Sequence, residues 1–185
     1  MKRKIFISAG HSNVPGKDMG ADGLDGVKEG NLTVELRNLV IKEFKLLGEN
    51  VTTDVDSNVT KETVILINGL LSERDIALDI HFNAFARESA NGTEVIVPFK
   101  SSQFERELAA KLSKEVAICL GNKDRGYITE AQSARGTLIF MRPNCENILL
   151  EVCFITNRKD LDSYLSKKNE VAKVIAKTLY EYVTK

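Results

Sequence analysis

Four residues stand where a chain of this kind would place chemistry. His11 closes the stretch KIFISAGHS (residues 4–12), in which Ile5, Phe6 and Ile7 form a short strand-forming apolar run that stops at Ala9 and Gly10. His81 closes a second such run, Ile76-Ala77-Leu78-Asp79-Ile80, and is followed by Phe82-Asn83-Ala84. These are the only 2 histidines in 185 residues. One alone reads as a core or surface group, but two at the same structural position argue for a shared role. In open α/β sheets, clefts lie beyond the carboxyl ends of the strands. Glu29 opens a helical pattern after a glycine-dense segment, and Glu151 interrupts the apolar run 148–152, where an unpaired charge would be costly. Two neutral imidazoles and a carboxylate make the protein shell of a catalytic zinc site with a fourth position for water. A second carboxylate beside that water serves as general base, and Glu151 is the best of the remaining acids for that role. Each glutamate also has a plainer reading. Glu29 fits the helix dipole, and Glu151 fits a buried ion pair with an arginine such as Arg142.

The elements that must position these residues follow from hydrophobic periodicity. From Glu29, apolar residues at Leu32, Leu36, Leu39, Val40, Phe44 and Leu47 predict a helix that Asn31 or Thr33 caps and Gly48 ends. Residues 50–53 read as a short β-branched strand. Residues 61–71 read as a helix with Val64, Ile65, Ile67 and Leu71 inward. Residues 92–97 alternate as a strand ending at Pro98. Residues 103–120 form an amphipathic helix through Phe104, Leu108, Leu112, Val116 and Leu120, and 123–126 read as a turn or loop. Residues 137–140 and 148–152 read as strands, and two helical stretches follow. The longer has Val171, Val174, Ile175, Leu179, Tyr182 and Val183 on one face. This alternation predicts a three-layer α/β/α single domain over 1–185, with a mainly parallel, mixed sheet. The segment Ser12 to Lys28 carries four glycines but matches neither phosphate-binding pattern, and it reads as a mobile rim between His11 and Glu29.

Apolar residues make up 43% and charged residues 28%, an ordinary globular composition. The 26 basic and 26 acidic residues cancel, so no global field draws the chain to nucleic acid or to an anionic membrane. No apolar run is long enough to span a bilayer. Lys2, Arg3 and Lys4 read as a solvated approach to the first strand, since the apolar stretch after them is too short for a signal-peptide core. Three cysteines without CxxC spacing read as reduced, mostly buried thiols of a protein made in the cytoplasm without a signal peptide.

Four segments taken in order add a more specific signal: ISAGHS at 7–12, KEGNLT at 28–33, IHFNA at 80–84 and ILLEVCFITN at 148–157. Together they resemble the zinc-dependent N-acetylmuramoyl-L-alanine amidases of the amidase_3 type, phage endolysins among them. The resemblance implies that His11, Glu29 and His81 bind one zinc ion per chain and that Glu151 is catalytic. It implies peptidoglycan as substrate and cleavage of the amide bond between N-acetylmuramic acid and L-alanine. With neither a signal peptide nor a wall-binding repeat read in the sequence, the expectation is a phage or prophage lysin that acts on the cell wall after release by a holin-like membrane-permeabilising protein, with a mother-cell lytic enzyme as the alternative. Arg142 would be a second stabiliser of the transition state, or else an ion-pair or surface group. The competing readings are another zinc peptidase, such as a carboxypeptidase, and an inactive amidase-like wall-binding module. Ser12, Asp79 and Cys153 depart from the family pattern, where glycine, serine and glycine are usual. None removes a ligand, and the departures bear on the finer shape of the groove.

Overall fold

The computed structural model describes residues 2–57 and 59–183. Six strands form one mixed sheet: β1 (Ile5–Ala9), β2 (Thr52–Thr53), β3 (Ile76–Asn83), β4 (Thr93–Val97), β5 (Asp124–Thr129) and β6 (Glu146–Phe154). Their order is β2-β1-β3-β6-β4-β5. The first four run parallel, β4 lies antiparallel to β6, and β5 is parallel to β4. Among the described residues three helices connect strands, α1 (Glu29–Leu46), α2 (Thr60–Leu70) and α3 (Gln103–Leu120), and a fourth, α4 (Arg158–Val183), follows β6.

The sheet has two unlike faces, and strand alternation explains both. On one face Ile5, Ile7, Leu78, Ile80, Phe82, Leu150 and Val152 are buried beneath α1, α3 and α4. On the other, Phe6, Ala77, Ile96 and Leu149 pack against Ile67 of α2 and against Phe140 and Met141 of a 3₁₀ turn, residues 139–141. This second cover is thin. Along the same face toward the C-terminal ends of the parallel strands stand Ser8, Asp79, His81 and Glu151. The layers are therefore α/β/α as expected, with helices on both sides but unequally shared.

Several local expectations change. Residues 123–126, read as a turn or loop, instead lead into the edge strand β5 (Asp124–Thr129), whose polar sequence DRGYIT carries no inward apolar stripe. Residues 137–140 are loop and 3₁₀ turn, with Phe140 anchoring the thin face. The two C-terminal stretches are one helix, because the polar segment 165–170 is simply its solvent side and contains no breaker. Ile65 points outward at 70% exposure, while Val64 and Ile67 are buried. Neither Asn31 nor Thr33 caps α1, whose N-cap is Lys28. Asn157, the last residue of the 148–157 segment, caps α4 by accepting the Asp160 N–H at 3.0 Å. No helix among the described residues is long and apolar enough to cross a membrane.

Tyr164 of α4 packs edge-to-face on Phe82 at 4.6 Å, directly behind His81. Its hydroxyl is buried without a hydrogen-bond partner. An unmade buried bond costs about 1–3 kcal/mol. Tyr164→Phe is accordingly expected to keep or raise stability, by up to ~1 kcal/mol, in urea unfolding. A loss of that size would instead reveal a partner for the hydroxyl.

Candidate active site and metal centre

Sheet register sets two of the four chemical residues, His81 and Glu151, side by side. It also sets Ser8 beside Asp79. The register slips between His81 and Asn83, so β6 carries an extra residue just past the site. Such bulges re-aim side chains. β1 continues past Ala9, with the Gly10 N–H donating to the Ile80 carbonyl at 2.9 Å, and delivers His11 to the same edge. Glu29 is the first residue of α1, which begins there because the loop from β1 folds back on itself. The Glu29 N–H donates to Ala21 and the Gly30 N–H to Met19.

Glu29 is fully buried and is the hub of the site. Its Oε1 accepts the Phe82 N–H at 3.0 Å and stands 3.1 Å from His81 Nδ1. Its Oε2 accepts the Ala21 N–H at 2.9 Å and stands 3.4 Å from His11 Nε2. Burial alone would raise this carboxyl. The hydrogen bond and charge of His81, the charge of His11 and the Ala21 N–H overcome it and bring the pKa down to about 2. The two imidazoles meet edge-on, with ring centroids 5.0 Å apart. Burial, and then the neighbouring His81, lower the pKa of His11, which favours the neutral imidazole. Both its ring nitrogens are buried without an aligned partner. His81 is buried too, which works against its charge. Asp79 and Glu29, one at each ring nitrogen, outweigh that and hold its pKa well above the usual value.

One donor atom from each of His11, Glu29 and His81 lies within 4.8 Å of the others. This cluster can bind a metal ion. An anionic carboxylate, an imidazole with two unpartnered nitrogens and a second imidazole match the donor set that suits a borderline-soft divalent cation.

Two glycines make the cluster possible. A methyl group on Gly10 would fall on the ring atoms of His81. Gly20 holds φ +71°, and a methyl group there would crowd Glu29 and His11. The segment expected as a mobile rim makes several hydrogen bonds to the rest of the chain and within itself. The Ser12 N–H donates to Asp18, the Ser12 hydroxyl donates to Asp56 at 2.6 Å, and the Leu24 N–H donates to Ile155. This bond also accounts for serine in place of glycine at position 12. Cys153 lies in the apolar core, away from the groove.

Glu151 stands apart from the cluster, 7% exposed, with its Oε2 unpartnered. Burial pushes its pKa up to about 7, His81 and Arg135 pull it down, and Glu29 and Glu94 add to the rise. It sits where two depressions meet. One, of about 150 Å³, includes His11, His81 and Asp79. The other is a cleft of about 660 Å³ bounded by Phe85, Glu94, Arg125, Arg135 and Phe154. Arg142 is not there. It pairs with Glu130 and donates to the Leu138 carbonyl at 3.2 Å, beside a different depression. The ion pair between Glu151 and Arg142 therefore does not form, and Arg142 takes its plainer role as an ion-pair residue. Asp79 was noted in the sequence only as a departure. Its place two residues before His81 on one strand, hence on the same face, is the signal that would have found it.

The chain belongs to the N-acetylmuramoyl-L-alanine amidase family, Amidase_3, whose model matches residues 5–181. Its function is that of a peptidoglycan amidase. The fold agrees closely with an N-acetylmuramoyl-L-alanine amidase from Clostridium difficile 630, at TM-score 0.82 and 21% identity over 99% of this chain and 97% of that one. The catalytic domain of CwlV, an N-acetylmuramoyl-L-alanine amidase from Bacillus (Paenibacillus) polymyxa var. colistinus, matches at 0.80 and 23%, covering 98% of each chain. The catalytic domain of the CD27L endolysin, which targets Clostridia difficile, matches at 0.75 and 20%, covering 97% of each. No curated protein sequence matches the chain.

Gly10→Ala tests the packing that holds His81. Overpacking a tight site costs about 1–3 kcal/mol, and a loss of that size is expected in the urea midpoint. Gly69→Ala on α2, where a methyl group meets nothing within 4 Å, should instead be neutral or gain up to ~1 kcal/mol. Equal effects at the two positions would show that the His81 ring does not lie against Gly10.

Proposed function

We propose that His11, Glu29 and His81 hold one zinc ion and that Glu151 is the general base and acid for hydrolysis of the bond between N-acetylmuramic acid and L-alanine. One observation carries the reading: three donor atoms converge within 4.8 Å while a fourth buried group, Glu151, stays unpartnered at the mouth of the cleft. Zinc at this position supplies a Lewis acid to the scissile carbonyl and makes a neighbouring water more acidic.

The chain supplies the rest. Glu29, held by two backbone N–H groups, brings a fixed negative charge and cannot swing away. Glu151 accepts the proton of the attacking water as a new carbon–oxygen bond forms. It then delivers that proton to the alanine nitrogen as the carbon–nitrogen bond breaks, leaving a lactyl carboxylate and a free amino group. A carboxyl raised toward neutrality by burial suits both halves of this transfer. A cleft of about 660 Å³ adjoins Glu151, and Phe85 and Phe154 offer a bound stem peptide apolar walls. The enzyme, in this reading, is made in the cytoplasm and meets its polymer in the cell wall after release.

His81→Ala is expected to lose bound zinc in elemental analysis, and full retention would remove His81 from the ligand set. Glu151→Gln keeps volume but cannot take the proton. It should fold, bind zinc in full and lose roughly 10²–10⁴-fold in turnover. Mass spectrometry of digested peptidoglycan reads the bond opened. New amino-terminal alanine supports the amidase reading, whereas release of a terminal stem residue would make the enzyme a carboxypeptidase. A Glu151→Gln variant that melts early yet cleaves normally would show Glu151 to be structural.

A further inference from the structure

Building on the zinc reading, we infer that Asp79 is a positioning residue for the metal: it holds the Nε2–H of His81, so that His81 offers Nδ1 to the ion. Asp79 and His81 are two residues apart on β3 and therefore share a face. The Asp79 Oδ2 lies 3.1 Å from His81 Nε2, and both side chains are buried. The carboxylate is itself fixed, because the hydroxyl of Ser8, its neighbour in sheet register, donates to Oδ1 at 2.6 Å. The opposite ring nitrogen, Nδ1, faces Glu29, another member of the cluster, at 3.1 Å.

Space leads to the same assignment. The Nε2 edge of the ring lies against the backbone of Gly10, where even a methyl group would collide with it. With Asp79 on that edge as well, an ion has no room there. Nδ1 is the nitrogen left to coordinate. A carboxylate that accepts the second N–H of a ligating imidazole fixes the ring's tautomer and orientation and raises its basicity, and losing it weakens metal affinity roughly 10- to 100-fold. A strand residue with no such role would put an apolar or small side chain here, since an uncompensated buried carboxylate is costly.

The test uses the full chain and zinc alone. Wild type, Asp79→Asn, Asp79→Ala and Ser8→Ala are compared for zinc dissociation constant by competition with a chromophoric chelator. The metal-free melting temperature is measured in parallel. The expected order of affinity is wild type, then Ser8→Ala, then Asp79→Asn, then Asp79→Ala, the last weaker by roughly 10- to 100-fold. A role confined to stability would lower the melting temperature and leave the affinity of the folded variants unchanged. If Asp79→Ala does not fold, Ser8→Ala and Asp79→Asn decide. Long-range ¹H–¹⁵N spectra of zinc-loaded wild type should show the His81 proton on Nε2. Folded variants that bind zinc within about twofold of wild type would overturn the assignment, as would a proton on Nδ1. Wild type that binds no zinc overturns this inference and the zinc reading together. Tight zinc binding by wild type and variants alike overturns this inference alone.

Discussion

The structure depends on burying one carboxylate. Glu29 has no exposed surface, and removing an anion from water is among the largest penalties a fold can carry unless hydrogen bonds and opposite charges replace the water. Here two backbone N–H groups and two imidazoles replace it. The four partners come from three different parts of the chain. Ala21 belongs to the loop after β1, Phe82 and His81 to β3, and His11 to the end of β1. The first turn of α1 must therefore land where two strands end and a long loop returns. The glycine-dense segment meets that demand by lying close against the site, with Gly20 leaving room for the carboxylate itself. Fold and site are in this sense one requirement, because the charge is tolerable only in the completed arrangement.

The unequal faces of the sheet decide where chemistry sits. Three helices seal one face, and strand alternation sends Ile7, Leu78, Ile80, Leu150 and Val152 into it. The opposite face is covered only by α2 and a 3₁₀ turn, and this cover stops short of the strands' C-terminal ends. Toward those ends the same alternation sets Ser8, Asp79, His81 and Glu151 on this face, each of them buried. Parallel register then sets Ser8 beside Asp79 and His81 beside Glu151. A polar site forms on a sheet whose interior is otherwise apolar because one face is left open at one end.

How far the sequence reveals this differs by element and for physical reasons. β1, β3 and β6 are legible because strands buried on both faces need unbroken apolar runs. Helices α1 and α3 are legible from a single stripe each. β5 is not, since an edge strand half in water needs no apolar pattern and its first residues, within 123–126, read as a turn or loop. The unity of α4 is hidden by a polar turn that faces solvent. At the site, His11, Glu29, His81 and Glu151 stand out as residue types at odds with their surroundings. The Asp79–His81 contact and the register that pairs His81 with Glu151 are three-dimensional facts. Only the two-residue spacing of Asp79 and His81 hints at the first, and nothing local carries the second.

The state of Glu151 separates a structural carboxylate from a functional one. A buried acid retained for stability is expected to be paired, and the arginines that share the cleft with Glu151 do not pair with it. Arg125 donates instead to Glu94 at 3.1 Å. Glu94 stands directly across the sheet from Glu151 and adds repulsion rather than relief. Arg135 lines the cleft, exposed and out of hydrogen-bond reach of the carboxylate. The charge of Glu151 is thus left costly by its surroundings, and its pKa rises to about 7 in consequence. Buried polar atoms without partners are rare in folded proteins, and a sequence that keeps one against its own stability keeps it for another reason. A carboxyl that is neither paired nor solvated, beside a cluster able to hold a cation and at the mouth of a substrate-sized cleft, is free to exchange a proton with whatever enters.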